Sequence, residues 1–334
     1  MTSVERLFLT LANAFPVWVI VGAALALLEP QTALWFQPTW IPFFLSVIML
    51  SMGLTLNWND FKQALKAPRL LALGVGLQYI VMPALGLSVS LLFHLPVDYM
   101  IGIVLVACCP GGTASNVVCF IARANVALSV SLTTVSTVLA VILTPLLTTL
   151  LIEPLSKELS GVSVQVDTWS LLVDTFQVVI VPVAAGILLN RYFHRAVRKI
   201  NPYTPLLAVL SIVFIVDFIL AAKKDAIIET GATLLFAVLT LHILGFILGF
   251  VLTRAMGYQR CDAQTVSIEV GMQNSGLATE LARSNFPAFG MATVPGAISA
   301  LSHCILGSIV AGLCRWVEAK EKRRNEKFEG LEEL

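Results

Sequence analysis

Charge is what this chain has least of: Asp, Glu, Lys and Arg make up 12% of its 334 residues, against 57% hydrophobic. Soluble domains carry about 25% charged residues, and half that supply cannot coat a globule of this size. The scarcity excludes a cytosolic enzyme, a secreted disulfide scaffold, a disordered protein and a nucleic-acid binder. It leaves a polytopic helical protein of the lipid bilayer. The apolar runs are continuous rather than alternating, which argues against a transmembrane β-barrel. Repeated cysteine pairs are absent: Cys108, Cys109, Cys119, Cys261, Cys304 and Cys314 show no spacing suited to zinc or a redox dithiol. All but Cys261 lie in apolar runs and read as small hydrophobes. No phosphate-binding Gly-x-x-x-x-Gly-Lys-Ser/Thr motif occurs, so ATP-driven pumping by this chain is excluded. The net charge of +1 points to no acidic or basic partner.

Ten spans are predicted, at 10–28, 39–56, 69–93, 98–122, 125–152, 168–190, 203–222, 227–253, 262–284 and 291–316, each near or above the ~20 residues a bilayer requires. The second is short. The ninth carries Glu269, Gln273, Asn274, Thr279 and Glu280, a polar load for a helix facing lipid. Ala24-Leu25-Ala26 resembles a signal-peptidase site, but the apolar stretch around it is long and its leading segment lacks net positive charge, so a retained span is expected. With both termini placed in the cytoplasm, all but four of the 21 Lys and Arg fall on inner segments; the exceptions are Lys157, Lys223, Lys224 and Arg283. That alternation holds loop by loop and supports the count of ten. Trp18, Trp35, Trp40, Trp58, Trp169 and Trp316 cluster near the expected interfaces, as an aromatic belt would. The chain divides into a five-helix repeat (1–152), an extracytoplasmic connection (153–167), a second five-helix repeat (168–317) and a charged cytoplasmic tail (318–334). An odd number of helices per half inverts the second half relative to the first, as in many secondary transporters.

Two spans are interrupted. The fourth reads Cys109-Pro110-Gly111-Gly112-Thr113-Ala114-Ser115-Asn116, and the ninth Glu269-Val270-Gly271-Met272-Gln273-Asn274-Ser275-Gly276. Proline removes a helical hydrogen bond and glycine lowers the cost of leaving helical geometry. Backbone freed at this depth must be buried in protein or line a wet cavity. Interrupted segments at corresponding positions of two halves point to a transport site. Glu269 sharpens the case, because a carboxylate in a span is costly and no Lys or Arg lies deep enough to pair with it. Its economical counter-ion is a small inorganic cation, ringed by the oxygens of Ser115, Asn116, Gln273, Asn274 and Ser275. Ser129 and Thr133 lie four apart on one helical face, and Gln78 lies mid-span beside Pro83. These are hard oxygen donors, which suit Na⁺ and not a transition metal. Each break also starts a new helix near Thr113 or Asn274, whose positive end can hold an anion without arginine.

The segments 109–116, 125–130 (Asn-Val-Ala-Leu-Ser-Val) and 269–278 resemble the bile acid:sodium symporter family in its bacterial ten-helix form. The resemblance implies a core of helices 3–5 and 8–10, a panel of helices 1, 2, 6 and 7, and broken helices 4 and 9 that cross. It implies one sodium site at Ser115, Asn116, Ser129, Thr133 and Glu269. A second would lie at Gln78, Glu269 and Gln273, with the carbonyls of Val270 and Met272. The organic anion would approach Thr113, Ala114, Asn274 and Ser275, with His303 nearby. His242, Asp174, Asp217 and Glu280 read as structural or interfacial residues, the last three solvated near span ends.

The function expected is a Na⁺-coupled symporter of the bacterial inner membrane that imports a bile acid-like, pantoate-like or keto-acid carboxylate by alternating access. Two sodium ions with a monovalent anion would make the cycle electrogenic. A proton-coupled carrier of the same fold is the rival. An intramembrane enzyme would need a nucleophile–base pair or metal constellation, for which only Glu269 and His303 are candidates. The chain is expected not to be an enzyme. Sodium, the anion and lipid are the partners expected, with no nucleic acid and no obligate protein partner.

Overall fold

The computed structural model describes residues 8, 11, 12, 14–56, 67–161 and 163–332; Arg6, Trp58, Lys62 and Lys66 lie outside the described residues. Helices make up nearly all of it. In chain order they are α1 (Phe15–Leu28), α2 (Ile41–Thr55), α3 (Pro68–Leu92), α4 (Val97–Cys108), α5 (Ala114–Ile121), α6 (Val126–Ser160) and α7 (Thr168–Tyr192). There follow α8 (His194–Ile200), α9 (Thr204–Ala222), α10 (Lys224–Ala255), α11 (Arg260–Gly271), α12 (Ser275–Asn285) and α13 (Val294–Glu332). Among the described residues the only extended pairing is a bridge between Gly111 and Gln273.

Among the described residues, seven helical stretches are long and apolar enough to cross a membrane: Pro38–Thr55, Pro68–Leu92, Val126–Leu159, Thr168–Tyr192, Thr204–Ala222, Ala232–Ala255 and Val294–Lys320. Phe15–Leu28 and Val97–Cys108 are apolar but shorter. Exposed apolar side chains recur every fourth residue, at Ile142, Leu146 and Leu150 of α6, Ile243, Ile247 and Val251 of α10, and Ile305, Ile309 and Leu313 of α13. Such stripes stand on one helix face, and their natural solvent is lipid. This is an integral membrane protein.

The helix starts and stops follow from local chemistry. Proline occupies the first turn of α1, α2, α3 and α9, where its missing N–H costs nothing. Asp167 caps α7 by accepting from the N–H groups of Trp169 and Ser170, and Asn125 caps α6 by accepting from that of Leu128. Gly161 closes α6 at φ 73°, a left-handed position that glycine adopts without strain. Two π turns interrupt α3 at Leu77–Val81 and α7 at Phe176–Ile180. Each is followed within two residues by a proline, Pro83 or Pro182, whose missing donor disturbs the ladder at this level.

Helices α1, α2, α7 and α9 pack on one another, as do α3, α4, α6 and α10–α13; α13 touches α1 and α9, while α7 touches α6 and α12. The middle of the second group is sealed. Tyr99–Cys108 of α4 and Ser275–Ala282 of α12 are buried without a gap. This explains the polar ninth span, which meets protein and not lipid.

Four expectations change. The segment 153–167 is helical as far as Ser160, because α6 tolerates both Pro145 and Pro154 and runs 35 residues. Glu280 is not solvated but 3% exposed, held by Arg283 through bonds of 2.6 and 2.9 Å. Asp217 lies against Gly22 of α1, with Oδ1 buried and without a hydrogen-bond donor. Asp174 of α7 is bonded to α12, accepting from Ser284 Oγ at 2.5 Å and Asn285 Nδ2 at 2.8 Å. The sequence pattern hides these because charge near a span end looks the same whether it faces water or a neighbouring helix.

Candidate functional site

Helix α4 stops at Cys108, where Pro110 and two glycines follow, and α11 stops at Gly271. The two interruptions meet. Gly112 N–H donates to the Met272 carbonyl at 2.8 Å, and Asn274 N–H donates to the Pro110 carbonyl at 2.8 Å. Backbone groups released by one break are thereby satisfied by the other, where lipid offers no partner. The approach requires glycine: a Cβ at Gly111 would stand 2.2 Å from Glu269 Oε1, and one at Gly112 2.7 Å from the Gln273 carbonyl oxygen.

Glu269 lies in the last turn of α11, 3% exposed. Its Oε2 accepts from Ser115 Oγ at 2.6 Å and Ser129 Oγ at 3.2 Å, and its Oε1 from Thr133 Oγ1 at 2.5 Å. Asn116 Oδ1 lies 2.8 Å from Ser129 Oγ and 3.4 Å from Thr133 Oγ1, an alternative acceptor for the one hydrogen each of these hydroxyls carries. Five oxygen-bearing side chains from α5, α6 and α11 thus converge, four of them anchored by the four-residue spacing on α6 and the first turn of α5. Among the described residues the ion pairs are Arg123–Glu318 and Arg283–Glu280; neither reaches Glu269. Hydroxyl groups rotate, so the same three that donate to the carboxylate can turn lone pairs toward a hard cation.

A second cluster lies across the bridge. The π turn of α3 carries Gln78, 1% exposed, whose Nε2 donates to the Cys109 carbonyl at 2.9 Å and to Gln273 Oε1 at 2.6 Å. Gln273 Nε2 donates to the Val270 carbonyl at 2.8 Å. Gln78 Oε1 is buried without a donor. An orphaned buried acceptor calls for a partner, and a cation supplies one. The Val270 and Met272 carbonyls each accept one hydrogen bond and keep a second lone pair. Among the described residues no group of three His, Cys, Asp or Glu is arranged for a metal ion; the donors here are amide, hydroxyl and carbonyl oxygens around one carboxylate.

The two new helices begin where expected, α5 after Thr113 and α12 after Asn274. Asn274 caps α12 by accepting from Leu277 N–H at 3.1 Å, whereas the Thr113 side chain makes no cap bond. Thr113 and Ala114 are partly exposed, while Ser275 and His303 are buried with Oγ and Nδ1 3.4 Å apart. His242 and Ser299 also belong to this region. Ser299 lies four residues before His303, hence on the same helical face, and that spacing was the available signal.

Residues 42–230 match the family model described as the sodium bile acid symporter family. The chain is 43% identical over 304 residues to the probable sodium/metabolite cotransporter BASS1, chloroplastic, of Arabidopsis thaliana, covering 91% of this chain and 74% of that one. It is 37% identical over 300 residues to the uncharacterized sodium-dependent transporter YocS of Bacillus subtilis, covering 90% of each.

The chain belongs to the sodium bile acid symporter family.

The family's transporter character, carried by these relatives' names, removes the intramembrane enzyme from consideration. The match to the family model ends at residue 230, before α11, but both relatives align over nine-tenths of the chain. The chain is thus a member of a family whose named relatives are sodium-dependent transporters.

Proposed function

We propose that this protein couples inward sodium flow to import of a small organic anion, using the crossing of α4/α5 with α11/α12 as its transport site. One observation carries the reading: a buried carboxylate, Glu269, accepts from three hydroxyls and has no basic partner among the described residues. A bare charge there would be costly, and an alkali cation neutralises it with the oxygens already in place. One sodium is assigned to Ser115, Asn116, Ser129, Thr133 and Glu269. The other is assigned to Gln78, Glu269, Gln273 and the carbonyls of Val270 and Met272, with the orphaned Gln78 Oε1 as its main support. The anion is assigned to the starts of α5 and α12, at Thr113, Ala114, Asn274 and Ser275, with His303 alongside. The lack of a deep arginine favours a monovalent, partly apolar carboxylate such as a bile acid, pantoate or a keto acid.

The two packing groups fit a panel that rocks against a core, and the paired breaks fit ten spans in two inverted five-helix repeats. The repeats take residues 1–152 and 168–317, with a tail from 318. The distribution of Lys and Arg supports cytoplasmic termini in a bacterial inner membrane, although plastid relatives exist. Two sodium ions with one monovalent anion carry one net positive charge per cycle, while the Glu269 charge returns with the empty carrier. Each such charge is worth about 2.3 kcal/mol per 100 mV. In proteoliposomes, replacing external sodium by choline at fixed pH is expected to abolish uptake of the accepted anion, and sodium-driven uptake is expected to produce an inward current. Uptake that survives choline and follows a proton gradient would transfer the site to proton coupling.

A further inference from the structure

His242 of α10 is wholly buried and uses both ring nitrogens. Its Nδ1 lies 2.8 Å from the Gly271 carbonyl oxygen and its Nε2 2.8 Å from Ser299 Oγ. Ser299 Oγ lies 2.6 Å from Ser275 Oγ. A carbonyl only accepts, so the neutral ring must carry its proton on Nδ1, leaving Nε2 as an acceptor. Ser299 then donates to His242, and Ser275 donates to Ser299. The polarity of the whole chain follows from one carbonyl.

The ends of this chain lie on opposite sides of the break. Gly271 is the last residue of α11, and its carbonyl is among those a helix end leaves without an internal partner. Ser275 is the first residue of α12. Packing brings α10 close enough for this contact: a Cβ on Gly271 would meet the Phe246 ring at 2.4 Å. A single imidazole therefore holds the peptide flanked by Val270 and Met272 and, through Ser299, the start of the next half-helix.

We propose that His242 is a positioning residue for cation binding: its Nδ1–H orients the Gly271 peptide and so aims the carbonyls of Val270 and Met272 at the sodium ion. The inference rests on the sodium site proposed above. The test titrates purified full-length protein with NaCl against choline chloride at constant ionic strength and reads the midpoint of sodium-induced thermal stabilisation. His242→Phe, of similar size and without polar atoms, is expected to raise the midpoint about tenfold. His242→Asn, whose amide N–H overlays Nδ1, is expected to remain within about twofold of wild type. His242→Gln, whose amide reaches toward Ser299 instead, is expected to behave as the phenylalanine variant does, and supplies the comparison with asparagine should phenylalanine prevent folding. A role in packing alone would lower the sodium-free melting temperature without moving the midpoint. Asparagine as defective as glutamine, or phenylalanine and glutamine equal to wild type, would overturn the proposal. A wild-type protein that does not respond to sodium would instead refute the transport reading, so the two failures are separable.

Discussion

Sodium-driven uptake is expected to fall by about 100-fold or more when Glu269 is replaced by alanine. Removing one member of a buried, fully engaged charge arrangement costs about 3–5 kcal/mol, and every 1.4 kcal/mol is about a factor of ten. The alanine variant leaves Ser115, Ser129 and Thr133 with hydroxyls but no charge to hold a cation. Because both proposed sodium ions share this carboxylate, the loss should be complete and not partial. The variant should still fold, since the carboxylate is an uncompensated charge without an ion. Measured initial rates with an inward sodium gradient decide the matter, and a variant that keeps full sodium-stimulated uptake would show the assignment to be wrong.

The second large effect is expected from a single methyl group. Gly111→Ala puts a Cβ 2.2 Å from Glu269 Oε1. The carboxylate cannot swing away without loosening its bonds from Thr133 and Ser115. Overpacking of this kind costs about 1–3 kcal/mol, here concentrated on the group that binds the ion. Half-saturating sodium should rise by about fivefold to 100-fold. Gly76→Ala is the control, since nothing lies within 4 Å of a Cβ at that position in α3 and alanine is the better helix former. It should transport as wild type does. Equal sodium dependence in the two variants would contradict the proposed contact.

Much of this arrangement is legible in the sequence. Pro110 with its two glycines, and Gly271 with Asn274, announced both breaks, because those residues oppose a helix whatever surrounds them. Ser129 and Thr133 announced a shared face by their spacing. What could not be read was which backbone groups the side chains would meet. Gln78 reaches the Cys109 carbonyl, and His242 reaches the Gly271 carbonyl, but a carbonyl leaves no mark in a sequence. Partners from distant helices are equally hidden: α10 and α13 meet at His242 and Ser299 only once the bundle is packed. The burial of Glu280 is hidden for a related reason, since a pair with Arg283 three residues on looks the same in sequence whether solvated or enclosed. Helix α6 runs through Pro145 and Pro154 to Ser160, whereas at Pro110 two glycines follow and the backbone pairs with the other break, so proline alone does not mark where a helix ends.

Binding of radioactive sodium to the purified protein, followed by scintillation proximity, addresses the core claim without needing to know the anion. Wild-type protein should bind saturably, with displacement by unlabelled sodium and not by potassium or choline, and Glu269→Ala should show no saturable binding. Equal binding by the alanine variant, or none by the wild type, would contradict the account.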